Sequence, residues 1–177
     1  MSTDELTLFS YEILGLVGRD GAGAHDLLRM ARQGRVLAWA GESQYYTEPK
    51  RLAALGYLAA RTEPGKTRAR TVYTLTERGR EALAEYARTP VRITPIKSDA
   101  LLRLLICDLV GEPVTRDALL SLREDIADVR QRLVESERRA EALPHREKYL
   151  RLTLAHLHGL LDLHEQLVAR AEDELTS

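Results

Sequence analysis

At Gly56 the apolar pattern of this chain changes period, and no other feature constrains the fold as strongly. Upstream, Leu6, Phe9, Ile13, Leu14, Leu16 and Val17 recur at helical spacing, as do Leu27, Leu28, Met30 and Ala31. Downstream, residues 57–62 and 71–75 read as strands around a Pro64-Gly65 turn signal and the basic residues Lys66, Arg68 and Arg70. A helical pattern does not settle as a strand, so the predicted order is helix, helix, helix, hairpin, helix.

Local signals bound these elements. The first helix is predicted over about residues 5–17, stopped by Gly18 and Gly21, and the second follows Gly23. Ser43 is a candidate N-cap for the third helix, which turns Leu52 and Leu55 inward and ends at Gly56, a suitable left-handed stop. Thr76 is predicted to cap the helix after the hairpin. Pro49 falls inside the third helix, where it removes a donor and crowds the carbonyl of Tyr45. Either that helix starts late, with Thr47 as N-cap and Pro49 in the first turn, or it is kinked.

The net charge of −1 is a cancellation. Residues 1–90 hold 13 basic and 11 acidic residues, giving +2, and the remainder holds 13 and 16, giving −3. Residues 43–88 alone carry 9 basic against 5 acidic, or +4. Three helices followed by a hairpin with a cationic tip form the order of a winged helix-turn-helix. Its third helix suits the major groove of duplex DNA and its wing suits phosphates. The candidate DNA-binding residues are Ser43, Gln44, Tyr45, Tyr46, Thr47, Lys50, Arg51, Lys66, Arg68 and Arg70. At least one of Tyr45 and Tyr46 is expected on DNA, with core packing as the alternative for either. Arg78 and Arg80 read as surface residues.

Three blocks in order carry a resemblance. Residues 8–17 (LFSYEILGLV) are similar to the opening helix of the PadR family of bacterial transcriptional regulators. Ser43-Gln44-Tyr45-Tyr46, with the run from Arg51 to Leu58, resembles that family's recognition helix and entry to the wing. Residues 70–80 (RTVYTLTERGR) resemble its second wing strand and following helix. Trp39 stands where the family often has an aromatic, and is a candidate effector contact. The resemblance implies a homodimeric DNA-binding regulator, usually a repressor, often relieved by a small molecule. It departs at Pro49, where the family more often has Leu.

Residues 89–95, with Pro90 and Pro95, read as an extended connector between a winged helix at 1–88 and a helical, coiled-coil-like dimerisation region at 96–177. Residues 98–110 are apolar nearly all round and are expected to form one buried helix, stopped by Gly111 and Pro113. Thr115 is expected to cap the next helix, whose seam runs through Leu119, Leu122, Ile126, Val129 and Leu133. The last helix repeats the spacing with Leu154, Leu157, Leu161, His164 and Val168, and adds a second stripe through Leu160, Leu163 and Leu167. One partner within the chain covers one stripe. The other calls for a second copy, with cover by the N-terminal domain or by the helix at 98–110 as the alternative, and the two seams supply the candidate dimer contacts. Asp128/Arg132, Glu135/Arg139 and Glu147/Arg151 are predicted i,i+4 pairs.

Other chemistry finds little support. His156, His158 and His164 lack the i,i+4 spacing of a zinc helix, so no metal or other cofactor is expected. The single cysteine, Cys107, sits in an apolar run and reads as an inert small hydrophobe. Gly21-Ala22-Gly23 is too sparse for a phosphate loop, and no catalytic motif appears, so an enzyme is not expected. Asp4 and Glu5 without a basic n-region argue against a secretory signal, and no apolar run reaches membrane length. The expectation is a cytoplasmic protein, mainly α with a small β-hairpin wing, that binds double-stranded DNA as a homodimer and controls transcription, with a possible small-molecule effector. A dimeric helical adaptor whose winged helix does not bind DNA is the competing class. A MarR-like regulator is a second alternative, disfavoured because little chain precedes the first helix.

Overall fold

The computed structural model describes residues 5–34, 40–64, 69–93 and 95–175, and divides into two units between Arg92 and Ile93. The first unit runs α1 (Leu8–Val17), β1 (Ala22–Gly23), α2 (Ala24–Gly34), α3 (Gln44–Ala54), β2 (Leu58–Glu63), β3 (Arg70–Leu75) and α4 (Glu77–Arg88). The second runs α5 (Asp99–Leu105), α6 (Cys107–Val110), α7 (Glu112–Leu120), α8 (Leu122–Glu141) and α9 (Glu147–Glu174).

Helix α1 starts later than its apolar pattern, because Thr7 caps it reciprocally. The Thr7 side chain accepts from the Ser10 amide and the Ser10 side chain from the Thr7 amide. Helix α3 ends as its glycine predicts. Gly56 has φ +79, its amide donates to Ala53, and the Tyr57 amide donates to Leu52, a Schellman closure. The Thr76 side chain accepts from the Gly79 amide and starts α4.

The wing is larger than a hairpin. Strands β2 and β3 pair antiparallel from Leu58↔Leu75 to Glu63↔Arg70, and β1 adds through Ala22↔Tyr73 and Gly23↔Val72. The glycines of Gly21-Ala22-Gly23 serve this pairing and not a phosphate. Gly21 has φ +80, and a Cβ there would stand 2.7 Å from the Tyr73 carbonyl oxygen. Ile13, Leu14, Leu27, Leu52 and Tyr45, each 1% exposed or less, hold the three helices together. Full burial of such side chains contributes about 1.5–3 kcal/mol each.

In the second unit, α8 and α9 zip together as an antiparallel pair. Arg123 pairs with Glu172, Arg130 with Asp162 and Glu165 at 2.9 Å, and Glu137 with His158 at 3.2 Å. Partner numbers fall as α8 numbers rise. The two seams close on each other: Leu119, Ile126, Val129, Leu133, Leu154, Leu157, Leu161 and Val168 are all buried within one chain. Leu122 and His164 are half-buried, and His164 Nδ1 lies 2.7 Å from the Leu160 carbonyl oxygen. The eight buried residues are therefore taken up by the intrachain seam, while Leu122 and His164 keep exposed surface. Asp128/Arg132 and Glu135/Arg139 form ion pairs at 2.9 and 3.9 Å, while Glu147 and Arg151 do not pair.

Two expectations fail here. Residues 98–110 are not one buried helix: Ile106 (φ −106, ψ 8) separates α5 from α6, and Leu101, Leu102, Leu105, Leu109 and Val110 are exposed. Only Ala100 of this stretch is buried, because α5 turns a single small side chain toward Leu119 and Ala171. Thr115 does not cap α7, which begins at Glu112 with Pro113 in its first turn. Its hydroxyl donates back to the Gly111 carbonyl from inside the helix.

Candidate nucleic-acid interface

Helix α3 begins at Gln44, so the late start at Thr47 does not occur and Pro49 lies in the helix interior. The helix opens on a tighter turn. The amides of Gln44, Tyr45 and Tyr46 donate three residues back, to Gly41, Glu42 and Ser43. Ser43 precedes the helix in helical dihedrals and makes no side-chain cap bond. Pro49 is itself buried, on the same inward face as Tyr45 and Leu52.

The inward face is held at two points on α1. Tyr45 is 1% exposed, packs edge-on against Phe9 at 5.1 Å, and donates its hydroxyl to Glu12 Oε1 at 2.9 Å. Burial, then the Glu12 hydrogen bond and charge, push the Tyr45 hydroxyl well above its ordinary pKa. Tyr45 is thereby removed from the DNA-binding candidates, since the inward rotation that fills the core takes its hydroxyl with it. The second point is Glu48, which accepts from Ser10 Oγ at 2.7 Å and from Arg51 Nε and Nη2 at 2.9 and 2.7 Å. Burial works to raise the Glu48 pKa. The Arg51 and Ser10 hydrogen bonds and the Arg51 charge outweigh it and hold the carboxyl below its usual value.

The outward face presents Gln44, Tyr46, Thr47 and Lys50, all exposed. Gln44 Oε1 accepts from the Gly41 amide at 2.9 Å, which fixes the preceding turn and leaves its NH2 group outward. Tyr46 and Lys50 line a notch of about 340 Å³ with His25, Asp26, Arg70, Thr71 and Tyr73. Helix α3, the start of α2 and strand β3 thus meet in one concave place. His25 escaped the sequence reading because a lone histidine in the first turn of a helix carries no signal until β1 pairs with β3. Arg70 is held by Glu63 at 3.2 Å and Asp26 at 3.6 Å, exposed pairs of small energy that a phosphate can displace. Lys66, Arg68 and Trp39 lie outside the described residues. Arg78 stacks on Tyr57 at 4.4 Å and donates to the Leu55 carbonyl, so it braces the end of α3.

The chain matches no protein-family model and no curated protein. Its likeness is structural. The PadR-like transcriptional regulator BC1756 from Bacillus cereus superposes with a TM-score of 0.70 at 18% identity, over 97% of this chain and 99% of that one. Bacillus subtilis PadR in complex with operator DNA gives 0.66 at 21% identity, over 93% and 99%. The chain has the PadR fold. The Vibrio cholerae virulence activator AphA shares it, with a TM-score of 0.66 at 22% identity over 94% and 95% of the two chains. Bacillus subtilis PadR also has a structure in complex with p-coumaric acid, to which this chain gives a TM-score of 0.60. Among the described residues no helix is long and apolar enough to cross a membrane, and no cluster of potential metal ligands occurs.

Proposed function

We propose that this protein is a sequence-specific DNA-binding regulator of transcription that works as a homodimer. The observation that carries the reading is the outward row of α3. A helix buried on one face by Tyr45, Pro49 and Leu52 presents Gln44, Tyr46, Thr47 and Lys50 on the other, beside a wing of basic sequence. Gln44 and Thr47 suit base edges, and Tyr46, Lys50 and Arg70 suit phosphates. Ser43, at the start of the helix, suits a phosphate too, as do the basic residues Lys66 and Arg68 in the sequence between β2 and β3. The structure with operator DNA solved for Bacillus subtilis PadR supports this use of the fold. Repression by occupying the operator is the simplest output. The p-coumaric acid complex of that protein supports a small-molecule effector here as well.

The second copy is proposed on α5, α6 and the outer stripe of α9. Leu105 and Leu109 are each 78% exposed and Leu163 59%, on a unit whose inner seams are already closed. Pairing through this face sets the spacing of two reading heads and calls for a pseudo-palindromic operator.

The test is a salt titration with a duplex from the gene's own upstream region. Steep loss of affinity with salt, flattened by the combined Lys66→Ala, Arg68→Ala and Arg70→Ala changes, is the expected result. Absence of binding at low salt overturns the reading.

A further inference from the structure

Arg51 stands on the edge of the DNA-facing row. With Gln44 and Thr47 it occupies positions i, i+3 and i+7 of α3, one continuous stripe. Its side chain nevertheless turns back toward α1. Both carboxylate oxygens of Glu48 accept from it, and Ser10 Oγ accepts from its Nη2 at 3.0 Å. Ser10 is fully buried and is fixed in turn by Thr7, so the anchor is rigid. The Glu48 side chain is 14% exposed and that of Arg51 30%, a sheltered two-pronged ion pair and not a solvated one.

We propose that Glu48 is a specificity-determining residue of the reading helix: it holds Arg51 folded against α1 and so withholds one guanidinium from the DNA backbone. The inference rests on the DNA-binding reading above. A guanidinium on a reading helix binds any phosphate, which raises affinity for all sequences alike and carries no base information. Discrimination is a difference of affinities, and it grows when such sequence-blind contacts are removed. Pairing Arg51 internally does this while keeping its cross-link between α3 and α1. Nothing in the residue pattern alone separates this from an arginine that reaches DNA, because Arg51 sits at the right spacing for both.

The experiment compares two duplexes, the upstream-region site and a scrambled one of equal length, across a salt series. Wild type, Glu48→Gln, Arg51→Ala and the double variant are measured, with thermal melting confirming that each is folded. Glu48→Gln removes the charged partner of the guanidinium and loosens its hold on α1, so binding to the scrambled duplex tightens and the ratio between the two duplexes falls. The log–log salt slope steepens by about 0.9 per added phosphate contact, an extra loss of about 3.5-fold between 50 and 200 mM salt. In the Arg51→Ala background the same change leaves the slope where it was. Arg51→Ala alone also leaves the wild-type slope intact, and this arm decides the matter if Glu48→Gln does not fold. A shallower slope in Arg51→Ala means that Arg51 already contacts phosphate and overturns the proposal. Equal weakening on both duplexes by Glu48→Gln, at constant slope, reduces Glu48 to a structural role and also overturns it. If wild type binds neither duplex at low salt, the DNA-binding reading itself falls.

Discussion

The Tyr45 hydroxyl donates to Glu12 Oε1 across 2.9 Å, joining α3 to the first helix of the chain. Tyr45 stands next to Tyr46 in sequence, yet a helical step of about 100° sends one side chain inward and the other out. Removing the hydroxyl with Tyr45→Phe leaves Glu12 short of this donor, at a cost of about 1–3 kcal/mol in denaturant unfolding. The salt slope of DNA binding stays unchanged, because the hydroxyl faces the core.

Tyr45 also predicts an alkaline limit. Its pKa is raised in the fold from an ordinary value of 10.0, so the unfolded chain loses that proton first as pH rises. The stabilisation is complete below pH 10 and is lost progressively above it. Tyr45→Phe therefore flattens the fall in melting temperature on the alkaline side.

The acid side has the opposite sign. Glu48 is held below its ordinary value of 4.5, so the unfolded chain takes up that proton first as pH falls. Its contribution is present above about pH 4.5 and disappears below it. Glu48→Gln is expected to give a shallower loss of stability between neutral and acid pH, read by thermal melting.

Gly79 has no room for a side chain. A Cβ there would stand 2.3 Å from the Tyr57 carbonyl oxygen, where α4 begins against the exit from α3. Gly79→Ala is expected to destabilise the first unit by about 1–3 kcal/mol, as overpacking does. Thr76→Ala, which loses the cap to Gly79 and the bonds to the Gly56 and Tyr57 carbonyls at 2.8 and 3.0 Å, is expected to cost about 1–2 kcal/mol. A denaturation midpoint within error of wild type for either variant contradicts the packing described.

The dimer face is testable without DNA. Leu105→Glu with Leu109→Glu places charges on positions that are largely exposed within one chain. Sedimentation is expected to shift from dimer to monomer. Leu133→Ala, in the closed seam, is expected instead to cost about 2–5 kcal/mol of stability, as core truncations do. A double-glutamate variant that remains dimeric sinks the proposed face.

Much of this protein is written locally in its residues. Apolar periods, the Gly56 stop and the Thr76 cap determine the helix and strand order, because dihedral preference, capping and side-chain direction act within a few positions. The heptad spacing of α8 and α9 likewise determines that their seams pair, though not with which chain. Tertiary structure decided that: a single chain closes both seams and leaves α5, α6 and Leu163 uncovered, since only three-dimensional packing says which apolar face already has a partner. It also decided that Gly21-Ala22-Gly23 is a strand edge, that Tyr45 points into the core, and that Arg51 turns to Glu48 and Ser10. Each depends on a group distant in the chain, Tyr73, Glu12 or Ser10, and no spacing rule carries contacts of that separation.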